Sequence, residues 1–135
     1  MDILIIDGQG GKIGCALMEG IKARTGQNVQ ITAVGTNSIA TQGMVKAGAD
    51  RAATGENAVI VAARHADIIA GPIGIVLADS LVGEITPLMA TAVAQSRAKR
   101  VLIPFQGCNT AVVGTAKMPL SELIEKAVCE ICDPV

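Results

Sequence analysis

The amino-acid sequence predicts an α/β protein, a three-layer Rossmann-like domain around a mostly parallel sheet of about five strands. Short, continuous apolar runs alternate with segments of helical periodicity, which is typical of parallel strands covered on both faces. A glycine-rich stretch, Asp7-Gly8-Gln9-Gly10-Gly11, joins the first apolar run to the first helical segment. The chain has 135 residues, of which 50% are hydrophobic, so we expect one domain over residues 1–135 with a full core.

The elements follow from these runs in chain order. Residues 2–7 predict the first strand, and residues 11–25 predict a helix in which Ile13, Leu17 and Ile21 share one face. Residues 75–83 fit either a strand or a helix. The remaining predictions are a strand over 29–35, a helix from the Asn37 cap to about 47, a helix over 56–65 in the same crossover, a strand over 67–70, a helix from Thr86-Pro87 to about 95, a strand over 100–104, an edge strand over 110–114 and a helix over 120–131.

The composition excludes several classes of partner. The formal net charge is -1, and the chain has one Phe and neither Tyr nor Trp. Without a basic patch or an aromatic platform, we expect no nucleic-acid partner. No apolar run approaches the roughly 18 to 20 residues that span a bilayer, so we expect no membrane partner. The N-terminal segment reads as a strand and not as a basic signal peptide, and this predicts a cytoplasmic protein.

The cysteine pattern predicts reduced thiols. The four cysteines are Cys15, Cys108, Cys129 and Cys132, and in a cytoplasmic protein they are expected to be free. The spacing of Cys129 and Cys132 supplies two ligands, whereas a structural zinc site uses four. We therefore expect no metal.

The glycines after the first strand predict a phosphate-binding loop. Gly8, Gly11 and Gly14 match a G-x-x-G-x-x-G spacing, with Gln9 and Gly10 between them. Glycines at such positions allow a tight turn, close approach of a ligand to the backbone, and close packing of the helix. The helix N-terminus then offers free N–H groups to an anion. The alternative is a tight turn that binds nothing.

The end of the second strand lacks the usual acidic residue of an NAD site. An NAD site places Asp or Glu about 20 residues beyond the glycines, but this strand ends in Gly35-Thr36-Asn37. Thr36 and Asn37 suit hydrogen bonding to a ribose or a phosphate. The pattern disfavours NAD and is compatible with NADP, a mononucleotide or another phosphate-bearing ligand. Asn37 also fits the simpler role of a helix cap.

Two loops at the same predicted sheet edge add candidate binding residues. Gly71, Pro72 and Gly74 follow the third predicted strand, and Asn109 follows the fourth. Ligands of parallel sheets bind at the carboxyl ends of the strands. The alternative for residues 71–74 is an ordinary loop.

Cys108 and Glu84 are the candidate catalytic residues. Cys108 lies on the predicted ligand edge and is a potential nucleophile, although His65, the one histidine, is predicted at a helix end facing away. Glu84 lies among apolar residues and fits either a general acid or base with a raised pKa, or a residue in the first turn of a helix.

These blocks together resemble a family of short bacterial proteins defined only as a domain of unknown function. The resemblance spans the full length and implies a Rossmann-like fold in a bacterial cytoplasm, but no reaction. The glycine loop is also similar to that of dihydrodipicolinate-reductase-like NAD(P) domains, over the first strand, loop and helix alone. The blocks that carry the family resemblance are residues 6–11, 35–37, 53–58, 71–74, 83–87 and 108–109.

Two functions follow as hypotheses. The first is a protein that binds a nucleotide or dinucleotide, NADP or similar, through the glycine loop, with a small oxidoreductase as its enzymatic form. The substrate pocket would then come from residues 72–86 or from a second subunit, and the apolar residues 73–82 would suit a homodimer contact. The second is a non-catalytic module that senses a nucleotide or binds a protein.

Overall fold

The computed structural model describes residues 1–105 and 109–133. The described part contains five strands and five α-helices, with one turn of 3₁₀ helix over Ile73–Val76. The strands are β1 (Asp2–Asp7), β2 (Gln30–Gly35), β3 (Arg51–Thr54), β4 (Ile68–Pro72) and β5 (Lys99–Ile103). The helices are α1 (Lys12–Arg24), α2 (Ser38–Lys46), α3 (Glu56–Ala63), α4 (Pro87–Gln95) and α5 (Leu120–Cys132).

The strands form one sheet in the order β3-β2-β1-β4-β5, and every pair is parallel. The central strand β1 pairs on one side with β2, where Ile5 faces Ala33, and on the other with β4, where Ile5 faces Ala70. This is the strand order of Rossmann folds, in which ligands bind where the order reverses, at the carboxyl ends of the strands. The predicted fold class is confirmed, and the reversal lies between β1 and β4.

Two apolar clusters cover the two faces of the sheet. Ile3 and Ile5 of β1 point into the cluster that packs against α1, α2 and α5. Leu4 and Ile6 point into the opposite cluster, which packs against α3 and α4. All four side chains are at most 1% exposed. The continuous apolar run of β1 is therefore explained by burial on both faces, as the sequence indicated.

Two helix starts follow the predicted capping chemistry. The Asn37 side-chain oxygen accepts a hydrogen bond from the Ala40 amide at 2.9 Å and caps α2. The Thr86 hydroxyl accepts one from the Met89 amide at 3.2 Å, and Pro87 is the first residue of α4. Each cap satisfies an N–H group that has no partner within its own helix.

The predicted edge strand over 110–114 is wrong. Those residues form a turn region, in which the Thr115 amide donates to the Val112 carbonyl and Gly114 has a φ of 89°. The fifth strand is β3, whose register pairs Thr32 with Arg51. Its four residues are all exposed, so they carry no apolar run to signal a strand. Consequently α2 and α3 are separated by β3 and do not share one crossover.

The segment after β4 is neither strand nor α-helix, and its large apolar side chains other than Val82 are buried or half-buried. A homodimer contact over residues 73–82 stays a prediction. After the 3₁₀ turn it continues through further turns, and Ile75 is fully buried in the cluster on the α3 and α4 face. Within residues 73–82, Val82 is the large apolar side chain that is mostly exposed, at 94%. The apolar character of this stretch is therefore explained mainly by the chain's own core.

Candidate functional site

The glycine loop, residues 8–11, turns the chain from β1 into α1. Gly11 has a φ of 74°, and its amide donates to the Gly8 carbonyl at 2.9 Å. A side chain at Gly11 would be strained by this left-handed backbone and would meet the Ala40 backbone at 2.9 Å. The predicted turn is therefore present, and Gly11 is required by its geometry.

Beneath the loop lies a buried carboxylate, Asp7, which the sequence analysis did not select. Its two oxygens accept hydrogen bonds from the Gly8 amide at 2.7 Å and from the Gly14 amide at 2.6 Å. Burial raises the pKa of Asp7, the two amides oppose that effect, and nearby Glu84 raises the pKa further. Because Asp7 already satisfies an N–H group in the first turn of α1, an incoming anion must bind farther out on the loop.

A cavity of about 310 Å³ lies against the loop. Its lining includes residues 7–13, Pro72 at the end of β4, and Leu81 and Val82. Phe105 and Leu120 complete it. This glycine-loop cavity therefore lies at the reversal of strand order between β1 and β4, where ligands of such sheets bind.

Gly10 in the glycine loop and Lys12, the first residue of α1, are the residues best placed for an anion. Both are exposed and both line the glycine-loop cavity. A Cβ built on Gly10 has no neighbour within 4 Å, so the backbone there is open to a ligand. Over residues 1–105 and 109–133, Lys12 forms no ion pair. Sequence reasoning overlooked Lys12, although a base directly after the glycines was the available signal.

A second cavity, of about 590 Å³, adjoins the first at the end of β5. Phe105 and Leu120 line both cavities. Asn109, a predicted binding residue, lines only this β5-end cavity. Phe105 is 43% exposed and is the only aromatic residue of the chain. The crevice therefore has a glycine-loop compartment and an apolar compartment, with one aromatic ring between them.

Glu84 brings the glycine loop and the end of β2 together. Its Oε1 accepts a hydrogen bond from the Gln9 amide at 2.8 Å. Its Oε2 accepts from the Thr36 hydroxyl at 2.9 Å and from the Asn37 side-chain amide at 2.7 Å. Thr36 and Asn37, predicted to face a ligand, are thus bound to a side chain of the protein itself.

The protonation expected for Glu84 is wrong. Partial burial alone raises the pKa of Glu84, but hydrogen bonds from Asn37, Gln9 and Thr36 outweigh it, and the pKa lies below its ordinary value. Glu84 also precedes the Thr86 cap of α4, so it is not in the first turn of a helix. A carboxylate stabilised in its charged form by three neighbours is poorly suited to donate a proton.

The remaining predicted residues fall outside the glycine-loop cavity. Gly14 lies inside α1, where a Cβ would meet Met44 Sδ at 2.6 Å, and Gly71 has no room for one beside the Ile6 carbonyl. Gly74 is buried, and its carbonyl accepts from the Ser80 hydroxyl. Packing therefore explains Gly14 and Gly71. Cys108, the predicted nucleophile, lies outside the described residues.

The C-terminal cysteines Cys129 and Cys132 lie at the end of α5. Cys129 and Cys132 are free thiols, and Cys129 Sγ accepts a hydrogen bond from Arg24 at 3.0 Å. Across the described ranges, no three His, Cys, Asp or Glu side chains are grouped so as to hold a metal ion. None of the helices in these ranges has the length and the apolar composition of a membrane-spanning segment.

Comparisons with known proteins support the fold and identify a family. Among solved structures, the chain is similar to a dodecameric FMN-dependent UbiX-like decarboxylase from Escherichia coli O157:H7, with a TM-score of 0.56 and 18% identity. The match covers 98% of this chain and 92% of that one. No curated protein matches the sequence. The model of one protein family matches residues 2–135, and the chain therefore belongs to that family, domain of unknown function 3842.

Proposed function

We propose that this protein binds a small phosphate-bearing nucleotide in the crevice at the carboxyl end of the sheet. The observation that carries the proposal is the glycine-loop cavity, which lies between β1 and β4 and is flanked by a lysine without an ion pair in the described chain. Clefts of this size with a few convergent polar groups are typical ligand sites. Folding alone does not require Gly10 to be a glycine, since a side chain there would meet nothing within 4 Å.

The phosphate is assigned to Gly10 and Lys12. The first-turn amide of Gly14 is satisfied internally by Asp7, whereas the amides of Gly10 and Lys12 have no acceptor among the described residues. Two backbone N–H groups at a helix start, beside a lysine ammonium, suit a phosphate monoester. The positive end of the α1 dipole adds to this attraction.

The ring of the ligand is assigned to Phe105. The phenyl ring lines both cavities and is partly exposed, so a planar base or flavin bound at the glycine loop would reach it. Offset stacking on an aromatic side chain contributes about 0.5 to 1.5 kcal/mol beyond buried area. The β5-end cavity, of about 590 Å³, then leaves room for a second molecule beside the ring.

FMN is the first ligand to test. It has one terminal phosphate and a flat ring, and FMN is the cofactor named for the structurally similar UbiX-like decarboxylase. NADP, one of the ligands with which the sequence is compatible, is the second. The same neighbour is dodecameric, and we extend the proposal to self-assembly of this chain, to be tested by light scattering of the purified protein.

A nucleotide-sensing module is the second candidate. Both described carboxylates of the site, Asp7 and Glu84, already have both oxygens engaged by hydrogen bonds within the protein. The hydrogen bonds from Asn37, Gln9 and Thr36 lower the pKa of Glu84 and make it a weak proton acceptor. The Asp7 carboxylate is buried beneath the glycine loop. The observation favours binding without proton transfer by these two groups over an oxidoreductase that uses Glu84.

A thermal-shift series tests the proposal. Purified protein is heated with FMN, NADP, ATP and coenzyme A, each in the wild type, in Lys12→Ala and in Lys46→Ala. Lys46 is an exposed lysine in the last turn of α2 and serves as the matched control. Ligand at roughly 100 times its Kd stabilises a protein by about 2.7 kcal/mol, or several degrees here. We expect a shift that Lys12→Ala weakens and Lys46→Ala retains. A folded wild type that shifts with none of them would overturn the proposal.

A further inference from the structure

The segment over residues 81–84, here named the Glu84 segment, lies where a dinucleotide would place its first ribose. In the strand order of this sheet, a dinucleotide crosses the carboxyl edge, with its ribose at the end of β2. That end is formed here by Thr36 and Asn37, and the Glu84 carboxylate is bonded to both. The place of the first ribose is therefore filled by the protein.

The space between the glycine loop and β2 is also closed. A single carbon added to Gly8 would lie 2.5 Å from Thr36 Oγ1, 3.0 Å from Leu81 Cδ1 and 3.2 Å from Glu84 Oε1. By contrast, a carbon added to Gly10 meets nothing within 4 Å. The loop is thus accessible from the side of Pro72 and Phe105, which line its cavity, and is blocked on the side of β2.

Several contacts hold the Glu84 segment in this position. The Gln9 side chain donates to the Leu81 carbonyl at 3.3 Å, and the Leu81 side chain packs against the core cluster that contains Leu4 and Ile6. Leu81 and Val82 have φ values of 54° and 56°, which is the left-handed region that such side chains avoid. Backbone of this kind persists only where surrounding contacts enforce it. The bonds of Glu84 to Gln9, Thr36 and Asn37 are such contacts.

We propose that Glu84 determines ligand size, so that the site accepts a mononucleotide and excludes a dinucleotide. This inference rests on the proposed function, since it assumes that the phosphate binds at Gly10 and Lys12. A ligand with one terminal phosphate fits the glycine-loop cavity and extends toward Phe105. A ligand with a second nucleoside beyond that phosphate must displace the Glu84 carboxylate from its three donors.

The test compares matched mononucleotide and dinucleotide ligands. Affinities of FMN and FAD, and of nicotinamide mononucleotide and NAD, are measured by titration calorimetry for the wild type, Glu84→Ala and Glu84→Gln. Glu19→Ala removes an exposed carboxylate on α1 and is the control. We expect the wild type to bind the mononucleotide of a pair about tenfold or more tightly than the dinucleotide. Both Glu84 variants should reduce that ratio, and Glu19→Ala should preserve it.

The possible failures are distinguishable. Equal affinity for FMN and FAD in the wild type would overturn the role of Glu84 while leaving the proposed function in place, and this comparison needs no variant to fold. If Glu84→Ala and Glu84→Gln both retain the preference of the wild type for the mononucleotide, the role of Glu84 is also overturned. Another part of the crevice would then exclude the dinucleotide. A folded wild type that binds neither member of either pair would overturn the proposed function and this inference with it.

Discussion

The Glu84 carboxylate accepts a hydrogen bond from the Asn37 side chain at 2.7 Å, across 47 positions of the sequence. The same Asn37 side chain donates to the Gln9 carbonyl at 2.9 Å and caps α2 through its oxygen. One amide group therefore connects the end of β2, the glycine loop and the Glu84 segment. The shape of the candidate site depends on this connection.

Replacing Glu84 with Gln should destabilise the protein in a pH-dependent way. The side-chain amide of the new Gln turns an N–H group toward at least one of the three donors that Glu84 accepts from. Because the side chain is partly exposed, we expect the free energy of unfolding to fall by about 1 kcal/mol at neutral pH. The folded pKa of Glu84 lies below its ordinary value of 4.5. Its contribution is therefore complete above pH 4.5 and is lost as the pH falls through the lowered folded pKa.

Urea unfolding of the wild type and Glu84→Gln over a pH series measures this difference. The gap in unfolding free energy should narrow on acidification, and the same substitution at the exposed Glu19 should show a smaller gap. A gap that is constant with pH would show that the Glu84 carboxylate is not stabilised in its charged form.

The pKa of Asp7 is shifted in the opposite direction to that of Glu84, so its effect on stability should have the opposite pH dependence. Burial raises its folded pKa above the ordinary 3.8, so protonation of Asp7 favours the folded state. That contribution is fully present below pH 3.8 and is lost as the pH rises through the raised folded pKa. A titration of the Asp7 carboxyl carbon by NMR should give a pKa above 3.8, and a pKa at or below that value would contradict the buried geometry.

Alanine at Gly8 and at Gly10 should have different consequences. At Gly8 the added carbon meets Thr36 Oγ1 at 2.5 Å, and we expect a loss of about 1 to 3 kcal/mol from overpacking. At Gly10 the carbon meets nothing, so stability should change by no more than about 0.5 kcal/mol, while affinity for the phosphate ligand falls. Thermal unfolding and calorimetry of the two variants test this, and a strongly destabilised Gly10→Ala would contradict the open geometry of the loop.

Phe105 should influence ring binding without affecting the phosphate. Replacing it with Leu retains an apolar side chain and removes the aromatic ring, at a cost of about 0.5 to 1.5 kcal/mol in flavin affinity. Titration calorimetry should show weaker flavin binding in Phe105→Leu. If flavin affinity matches the wild type, the ring does not bind beside Phe105.

The sequence predicted the sheet and the glycine turn because both leave local signals. The four apolar residues from Ile3 to Ile6 indicated a strand buried on both faces. The glycines after it indicated a tight turn, in which Gly11 has the left-handed backbone that favours glycine. The edge strand β3 was missed because its exposed residues 51–54 bring no apolar pattern. What makes residues 51–54 a strand is their pairing with β2, and this tertiary contact leaves no local pattern in the sequence.

The site was predicted only in part, because some of its contacts are also tertiary and leave no local signal. The glycines, Thr36 and Asn37 were identifiable as neighbours at one sheet edge, since parallel strands end together. That Glu84 bonds to both the glycine loop and the end of β2 depends on the turns over residues 77–85, which have no periodicity. Its lowered pKa depends on those bonds, so the apolar sequence around Glu84 indicated the wrong direction.

The most direct test of the central claim compares FMN with riboflavin, which lacks the phosphate, by fluorescence titration. If the phosphate binds at Gly10 and Lys12, the wild type should bind FMN at least about tenfold more tightly than riboflavin. That preference should decrease in Lys12→Ala and persist in Lys46→Ala. Equal affinity for FMN and riboflavin in the folded wild type, or a preference that Lys12→Ala leaves intact, would contradict the assignment of the glycine loop as the phosphate site.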